Sequence, residues 1–426
     1  MIKKKKRLII LVIIILIILG AITYAHLDFY KIPKERIGLN ETYAELKEDN
    51  FHHYINFQLD YTNPSLVQFR GFYLLSHSFY KSENITFLLT DGQMELVGLQ
   101  TDFNFFENIL GNSPYVLIGV RGHSPTFLPE VYIDGEVDYE KALKYYNSDQ
   151  QVEDIEQVRL DLIKKGLLSN NAKINVFGAS GAGVLAQQYI SKYGQYVNRV
   201  ILESTGAPDL ASKNGLKFSP DFKLYNPKAD IILTHYLEKH PTEKSSICNI
   251  LYQQGRMEKS PREAQLQTVN DIKNGSWLLK HKFKPITNLT LMNYIIKSPK
   301  ELAARIRWFE LVGNDLMHYD SKKETNLLYE LSLVPVSDVL EFHRIHNLDP
   351  KEFEIKRDFT GEVLIIKGTE DVVFGNDINI ILQKTYPNAK VLFFEDGHRM
   401  QKDMAKYRTI RTQFLTNGFD GIELLK

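Results

Sequence analysis

Apolar residues in this chain fall into short unbroken runs, separated by stretches with helical spacing. The runs are rich in β-branched residues, lack clean polar alternation and lie at 85–89, 115–120, 173–177, 199–202, 363–366 and 391–394. Such runs are typical of parallel strands that are covered on both faces. Between two of them, Val152, Ile155, Val158 and Leu162 recur at helical spacing. Strands that alternate with helices predict a doubly wound, mostly parallel sheet of the α/β class.

A long segment interrupts this alternation. The strand pattern stops at about residue 207 and returns only after residue 358, and the residues between favour amphipathic helices. We interpret this segment as a helical lid inserted into the α/β core. Residues 26–75 are polar and aromatic-rich, and their pattern predicts no defined element. The predicted units are an anchor (1–25), an N-terminal extension (26–75), a first core part (76–206), the lid (207–358) and a second core part (359–426).

The N-terminus has the pattern of a membrane anchor. Basic residues at Lys3–Arg7 precede an uninterrupted apolar run from Leu8 to Tyr24. Inside a bilayer such a run must be helical, and its length is that of a short membrane span. The basic residues would stay in the cytoplasm, which predicts a single-pass protein whose remaining chain is extracytoplasmic. The alternative is a cleaved signal peptide and a secreted protein, since Thr23-Tyr24-Ala25 is a passable cleavage site.

Charge and composition exclude several other classes. The chain has 52 Lys+Arg and 52 Asp+Glu, and this balance gives no electrostatic argument for a nucleic-acid partner. Its single cysteine, Cys248, excludes an intramolecular disulfide and a cysteine-based metal site. The histidines of the lid lack carboxylates at metal-ligand spacing, so we expect neither a metal nor a cofactor. The sequence leaves the oligomeric state open.

A candidate nucleophile lies where a predicted strand gives way to a predicted helix. Ser180 has small residues two positions before and after it, Gly178 and Ala182. A sharp strand-to-helix turn projects a serine from the sheet and strains its backbone, which requires small neighbours. The hydroxyl becomes nucleophilic when a base removes its proton during attack. The alternative is a small-residue cluster that only lets a helix pack closely on a strand.

A candidate acid and a candidate base follow in the order that such a triad requires. Asp371 and His398 each come directly after a later predicted strand. Ligands bind at the carboxyl ends of strands in open α/β sheets, so both side chains should lie at the edge that carries Ser180. His398 would take the serine proton, and Asp371 would fix the tautomer of the histidine. The competing acids are Glu370 and Glu203.

An oxyanion hole requires two positioned hydrogen-bond donors. The helix that follows the nucleophile supplies the backbone N–H of Gly181. The turn Thr90-Asp91-Gly92-Gln93, after the first core strand, is the natural source of the second donor, which we predict to be the N–H of Gln93. The alternative is an ordinary Asp-Gly turn.

These motifs resemble those of α/β-hydrolases of the proline iminopeptidase and tripeptidyl aminopeptidase group. The loop Arg121-Gly122-His123-Ser124 is similar to that group's Arg-Gly-x-Gly-x-Ser loop, and the loops at 368–371 and 397–398 fit its acid and base loops. The resemblance covers about residues 80–206 and 360–415. It implies an α/β-hydrolase fold, a mostly parallel sheet with helices on both faces. With the other patterns, we expect this fold to carry an inserted helical lid and an N-terminal transmembrane helix.

The resemblance also implies a substrate. The segment Ala304–Glu310 is similar to a Trp-x-x-Trp-Glu segment in which the glutamate binds the free amino terminus of a peptide. Glu310 would then bind an ammonium group, with Trp308 or Phe309 as a wall of the pocket. The alternative is an amphipathic helix with buried aromatic residues. The Gly-Gly-Pro-Gly type loop of the peptidases is replaced here by Thr90–Gln93.

Together these patterns predict an exported serine hydrolase that forms an acyl-enzyme. The preferred substrate is a small peptide, cleaved near its amino terminus. The runner-up is a carboxylic ester, since both reactions use the same triad. A hydrolase-fold binding module without catalysis is the third interpretation, because the oxyanion turn departs from the group's pattern.

Overall fold

The computed structural model describes residues 2–27, 31–32, 39, 47–81, 84–93, 96–123, 126–275 and 294–425. Its strands are β1 (His52–Gln58), β2 (Gln68–Leu75), β3 (Thr86–Leu89), β4 (Tyr115–Ile118), β5 (Tyr132–Ile133), β6 (Glu136–Val137), β7 (Ile174–Ala179), β8 (Val197–Glu203), β9 (Glu362–Gly368) and β10 (Ala389–Phe394). Its main α-helices are α1 (Ile2–Ala25), α2 (Phe103–Leu110), α3 (Tyr139–Tyr145), α4 (Ser148–Lys164), α5 (Gly181–Tyr193), α6 (Pro208–Lys213), α7 (Phe222–Tyr225), α8 (Pro227–Leu237), α9 (Lys244–Met257), α10 (Pro261–Lys273), α11 (Leu302–His318), α12 (Leu327–Ser332), α13 (Ser337–His346), α14 (Asn376–Thr385) and α15 (Met404–Glu423).

Eight strands form one sheet in the order β1-β2-β4-β3-β7-β8-β9-β10. β2 is antiparallel to both β1 and β4, and the other neighbours are parallel. The nucleophile turn follows a central strand, β7, and the helical segment follows β8. This architecture is the α/β-hydrolase fold that the sequence predicts.

Each inner strand is buried on both faces. In β9, Val363 and Ile365 belong to one apolar cluster, and Leu364 and Ile366 belong to a second. Side chains of α4 and α5 complete the first cluster, whereas those of α2 and α15 complete the second. Helices therefore cover both faces of the sheet, which explains why the strand sequences lack polar alternation.

Two strands of the sheet precede the first one that the sequence predicts. β1 and β2 lie within residues 26–75 and form the antiparallel edge of the main sheet. The predicted start of the core at residue 76 is therefore too late, because the sheet begins at His52. β1 is only partly buried and includes the polar residues His53 and Asn56. Its sequence consequently lacks the continuous apolar run by which the inner strands were found.

The described residues between β8 and β9, at 207–275 and 294–358, include helices α6 to α13. This is the segment for which the sequence predicts a lid. Helix α11 contributes Ile306, Phe309 and Leu311 to the same apolar cluster as the strands. At α11 the inserted segment is thus packed into the core, and this packing places α11 beside the nucleophile turn.

Helix α1 contains the apolar run of the N-terminus. The side chains described at 12–24 are exposed to solvent. Within the residues that the structure describes, no helix is both long enough and apolar enough to cross a membrane. The transmembrane helix expected from the sequence is therefore not confirmed.

Candidate active site

Ser180 lies in a strained turn between β7 and α5. Its backbone has φ 56° and ψ −128°, a left-handed conformation that is uncommon for a residue with a side chain. A Cβ atom added at Gly178 would lie 2.4 Å from the carbonyl oxygen of Ala182. Glycine at this position is therefore needed for the close approach of the strand and the helix. The turn has the geometry that the sequence predicts for a nucleophile.

The structure brings Ser180, His398 and Asp371 together. His398 Nε2 lies 3.1 Å from Ser180 Oγ, and His398 Nδ1 lies 3.0 Å from Asp371 Oδ1. With the Nδ1–H tautomer, the imidazole donates to Asp371 and accepts from the serine hydroxyl. His398 and Asp371 are buried, whereas Ser180 is partly accessible. The chain of hydrogen bonds thus runs from the interior to the accessible hydroxyl.

Asp371 is held as a carboxylate by more than the histidine. Lys367, itself fully buried, donates from Nζ to Asp371 Oδ2 and to the carbonyl oxygen of Phe374. The backbone N–H of Val373 donates to Asp371 Oδ1 at 2.8 Å. Burial alone would raise the pKa of Asp371, but the charges and hydrogen bonds of His398 and Lys367 lower it below its usual range. Asp371 therefore stays ionised and holds the orientation of the imidazole.

The two competing acids have other partners. Glu203 forms a two-bond ion pair with Arg411, at 2.7 and 2.8 Å. Glu370 bonds to Lys402 at 3.3 Å. Since the imidazole of His398 is bonded to Asp371, the structure selects Asp371 from the three acids that the sequence offered.

Buried side chains fix the turn Thr90–Gln93 from three separate elements. Gln151 Nε2 donates to the carbonyl oxygen of Thr90 at 2.7 Å, and Arg307 Nε donates to that of Asp91 at 3.0 Å. His123 Nε2 lies 2.7 Å from the carbonyl oxygen of Gly92. Burial lowers the pKa of His123, so its neutral ring donates this bond. Three consecutive carbonyl groups are thus held in place, which is more than an ordinary Asp-Gly turn requires.

The predicted oxyanion donor is not free in this turn. The backbone N–H of Gln93 donates to Asp91 Oδ1 at 3.1 Å. The other oxygen, Asp91 Oδ2, lies against Gly181, where an added Cβ atom would be only 1.9 Å away. Gly181 follows the nucleophile directly, at the N-terminus of α5, as the sequence predicts for the first donor. The assignment of Gln93 N–H as the second donor is therefore corrected, because the Asp91 carboxyl group occupies it.

Four residues of the site were missed in the sequence. Lys367, Gln151 and Arg307 were assigned no role, and His123 was noted only as part of a family-like loop whose Ser124 lies outside the described residues. Lys367 did give a signal, since it is a charged residue inside an apolar strand, four positions before Asp371. The other three gave none, because their roles depend on contacts with a turn that is distant in sequence.

Glu310 does not have the surroundings of an ammonium-binding residue. Its carboxylate is buried, accepts from the N–H of Ser148 at 3.0 Å, and pairs with Arg307 and Lys351. Two cations already balance its single charge. We therefore withdraw the assignment of Glu310 as an amino-terminus anchor. In this structure it links α11 to the start of α4.

The aromatic residues beside Glu310 are also engaged in packing. Trp308 donates from Nε1 to Ser332 Oγ at 2.8 Å and contacts Tyr294 edge-to-face. Phe309 is buried against His343. These contacts match the alternative interpretation, an amphipathic helix with buried aromatic residues.

Apolar as well as polar side chains lie near Ser180 and His398. The ring of Phe374 lies 5.8 Å from that of His398 and packs edge-to-face against Phe218. Leu311 of α11 approaches Gly181, with Cδ1 3.1 Å from the position of an added Cβ atom. A substrate carbonyl at Ser180 would therefore be close to hydrocarbon side chains.

Comparison with known proteins gives matches only among solved structures. No protein-family model and no curated protein matches the chain. An esterase from Exiguobacterium antarcticum is 14% identical, with 82% of this chain and 96% of that chain covered and a TM-score of 0.39. An α/β-hydrolase enzyme from a Medee basin deep-sea metagenome library is 16% identical, with coverages of 82% and 94% and a TM-score of 0.41. Homoserine O-acetyltransferase from Staphylococcus aureus is 12% identical, with coverages of 88% and 95% and a TM-score of 0.41.

Proposed function

We propose that this protein is a serine hydrolase that cleaves carboxylic esters through an acyl-enzyme. The observation that carries the proposal is the continuous hydrogen-bond chain from Ser180 through His398 to Asp371, in a strained turn at the carboxyl edge of the sheet. The nucleophile Ser180 has His398 as its base, and His398 has Asp371 as the carboxylate that orients it.

In the first half of the reaction, Ser180 Oγ attacks the carbonyl carbon of the ester. The hydroxyl proton moves to His398 Nε2, and the electron pair of the C=O bond moves to the carbonyl oxygen. When this tetrahedral intermediate collapses, the carbon–oxygen bond to the alcohol breaks, and the leaving oxygen takes the proton from His398. The products are a free alcohol and an ester between the acyl group and Ser180.

The second half repeats these steps with water. His398 removes a proton from the water as its oxygen attacks the acyl carbon, and the proton then returns to Ser180 Oγ as the acyl bond breaks. Asp371 remains a carboxylate throughout and stabilises the imidazolium in both halves. Its lowered pKa supports this role.

An ester is preferred here over the peptide that the sequence favoured. The peptide proposal depended on Glu310 as the group that binds a free amino terminus, and that carboxylate is buried between Arg307 and Lys351. The neighbours of the catalytic pair, Phe374 and Leu311, fit the hydrocarbon part of an acyl group or alcohol better than a charged amine.

We also propose that the N-terminal segment tethers the protein to a membrane with the hydrolase outside the cytoplasm. The basic residues Lys3–Arg7 before the apolar run support this orientation. The exposure of the apolar side chains at 12–19 supports burial in a lipid phase, since water is a poor solvent for them. Membrane fractionation of the full chain, followed by protease treatment of intact cells, tests both parts. A soluble full-length chain that protease cannot reach would contradict the proposal.

The hydrolase proposal is tested by labelling the full-length chain with a fluorophosphonate and measuring its intact mass. The matched variant is Ser180→Ala, and release of alcohol from short and long acyl esters is measured in parallel with release of amine from aminoacyl amides. We expect labelling and ester turnover in the parent chain alone. A folded parent that neither reacts nor turns over any ester would reject the proposal in favour of a binding module.

A further inference from the structure

The carboxyl group of Asp91 is an incompletely satisfied polar group beside the nucleophile. The residue is 8% exposed, and Oδ2 has no hydrogen-bond partner among the described residues. Oδ1 already accepts the N–H of Gln93. A buried carboxylate oxygen without a donor is costly, whereas a protonated oxygen needs only one acceptor. Oδ2 is therefore a buried oxygen whose hydrogen-bonding capacity is unused, and its burial favours the neutral form of the acid.

No hydrogen bond joins Oδ2 to the carbonyl groups of the turn. The carbonyl oxygens of Thr90, Asp91 and Gly92 each accept from a buried side chain. On its other side, Oδ2 lies against Gly181, at the N-terminus of α5. The backbone N–H of Gly181 is the first donor expected for the oxyanion. Oδ2 thus lies beside the region in which the negative oxygen of the tetrahedral intermediate would form.

Several charged and titratable groups act on Asp91. Burial raises its pKa, and this effect outweighs the opposite effects of Arg307 on α11, of the Gln93 N–H and of Arg256 on α9. The phenols of Tyr252 and Tyr294 also sense its charge. His123 faces the next carbonyl group of the turn and is neutral. Arg307 donates from Nε to the backbone carbonyl of Asp91 and pairs with Glu310, and its charge lowers the pKa of Asp91 without offsetting the effect of burial.

We propose that Asp91 is a catalytic residue whose neutral carboxyl group donates a hydrogen bond from Oδ2 to the oxyanion, in place of the backbone N–H of Gln93. A carboxylic acid kept neutral in an apolar site can act as such a donor. An ionised Asp91 would instead repel the oxyanion at short range. The inference rests on the proposed function, because it assigns a role in the same acyl-transfer reaction.

The first experiment compares ester turnover by the full-length parent, Asp91→Asn and Asp91→Ala across a range of pH. The parent should lose activity as pH rises through the pKa of Asp91. Asp91→Asn carries an amide N–H donor at every pH, so it should keep about a tenth or more of the parent kcat and lack this alkaline loss. Asp91→Ala should lose about 100-fold or more in kcat with little change in KM.

The second experiment measures protonation directly. The carboxylic-acid C=O band in the infrared difference spectrum between the parent and Asp91→Asn should be present at neutral pH, without any substrate. Thermal melts of all variants check that they are folded. If Asp91→Ala does not fold, this spectrum and the pH profile of Asp91→Asn still decide the question.

The results separate the two proposals. A parent that neither labels nor turns over esters rejects the hydrolase proposal and, with it, a catalytic role for Asp91. An active parent whose Asp91→Ala variant has kcat within about threefold of it rejects the inference alone. The same conclusion follows if Asp91→Asn keeps the alkaline loss, or if the carboxylic-acid band is absent.

Discussion

Two buried aspartates lie near the nucleophile, one bonded to His398 and one against Gly181, and their surroundings shift their pKa values in opposite directions. Asp371 receives hydrogen bonds from His398, Lys367 and a backbone N–H, and its pKa is lowered. Asp91 receives one backbone N–H bond, and burial raises its pKa. Residue type and burial are the same at both positions. The difference comes from direct hydrogen bonds, since two side chains bond to the carboxyl group of Asp371 and no described side chain bonds to that of Asp91.

This difference separates two tasks. A permanent carboxylate is needed where an imidazolium forms, whereas a neutral donor is useful where a negative oxygen forms. The base, His398, and its acid, Asp371, follow strands β10 and β9, which are neighbours in the sheet. The oxyanion side depends on Gln151, His123 and Arg307, which reach the turn from other parts of the chain. The inserted helical segment is therefore part of the site, because it supplies Arg307.

The largest effect is expected from Asp371→Asn. An amide cannot hold the productive tautomer of His398 or stabilise its charged form, so kcat should fall about 10,000-fold. Steady-state ester hydrolysis by the full chain measures this effect, with Glu370→Gln as the control of similar position and charge. Glu370→Gln should stay within about threefold of the parent. If the control lost as much activity as Asp371→Asn, the assignment of the acid would be wrong.

The next effect concerns the oxyanion side. Arg307→Met removes the donor to the Asp91 carbonyl and loosens the turn, and kcat should fall about 10-fold to 100-fold. Arg305→Met is the matched control, because Arg305 lies on the same helix and is equally buried but bonds to Asp338 and Pro335. Both variants should be destabilised by about 3 kcal/mol, and only the first should lose kcat in the folded protein. Equal kcat in the two variants would exclude a role for Arg307 in the site.

A third prediction concerns how Lys367 and Asp371 make the stability of the protein depend on pH. Lys367→Met removes one cation that lowers the pKa of Asp371 and should reduce the free energy of unfolding by about 2 kcal/mol at neutral pH. A carboxyl group with a lowered pKa stabilises the folded state above its unfolded pKa of about 3.9, and this contribution is lost as the pH falls further. The difference in the free energy of unfolding between the parent and Lys367→Met should therefore become smaller below about pH 4. Urea unfolding at several pH values tests this, and a constant difference would contradict it.

The smallest effect is expected at Glu310. Because its carboxylate is bound to Ser148, Arg307 and Lys351, Glu310→Gln should change the ratio of ester to aminoacyl-amide hydrolysis by less than about twofold. Measuring kcat/KM for both substrate types gives this ratio, and thermal melting reports the loss of the ion pairs. A selective loss of aminoacyl-amide hydrolysis would restore Glu310 as an amino-terminus anchor.

Local patterns were sufficient for much of the fold and for one side of the site. The unbroken apolar runs predicted six of the eight strands in the main sheet, and the small residues around Ser180 predicted the turn. The order of Ser180, Asp371 and His398 after three separate strands placed them at one edge. This inference works because a parallel sheet brings the carboxyl ends of its strands together. The edge strand β1 was missed because a partly buried strand has no continuous apolar run, whereas β2 is mostly buried and has such a run, Phe72–Leu75, which the prediction overlooked.

The sequence by itself predicted the α/β-hydrolase fold, Ser180, His398 and three candidate acids, from which the structure selects Asp371. Only the tertiary structure decided which donors are free, because the Gln93 N–H is occupied by a carboxyl group two residues earlier in the chain. It also decided that Glu310 is paired with cations and that Arg307 holds the carbonyl group of Asp91. The positions of most strands along the chain follow from local patterns. The charge state of a buried carboxyl group depends instead on neighbours that are distant in the sequence.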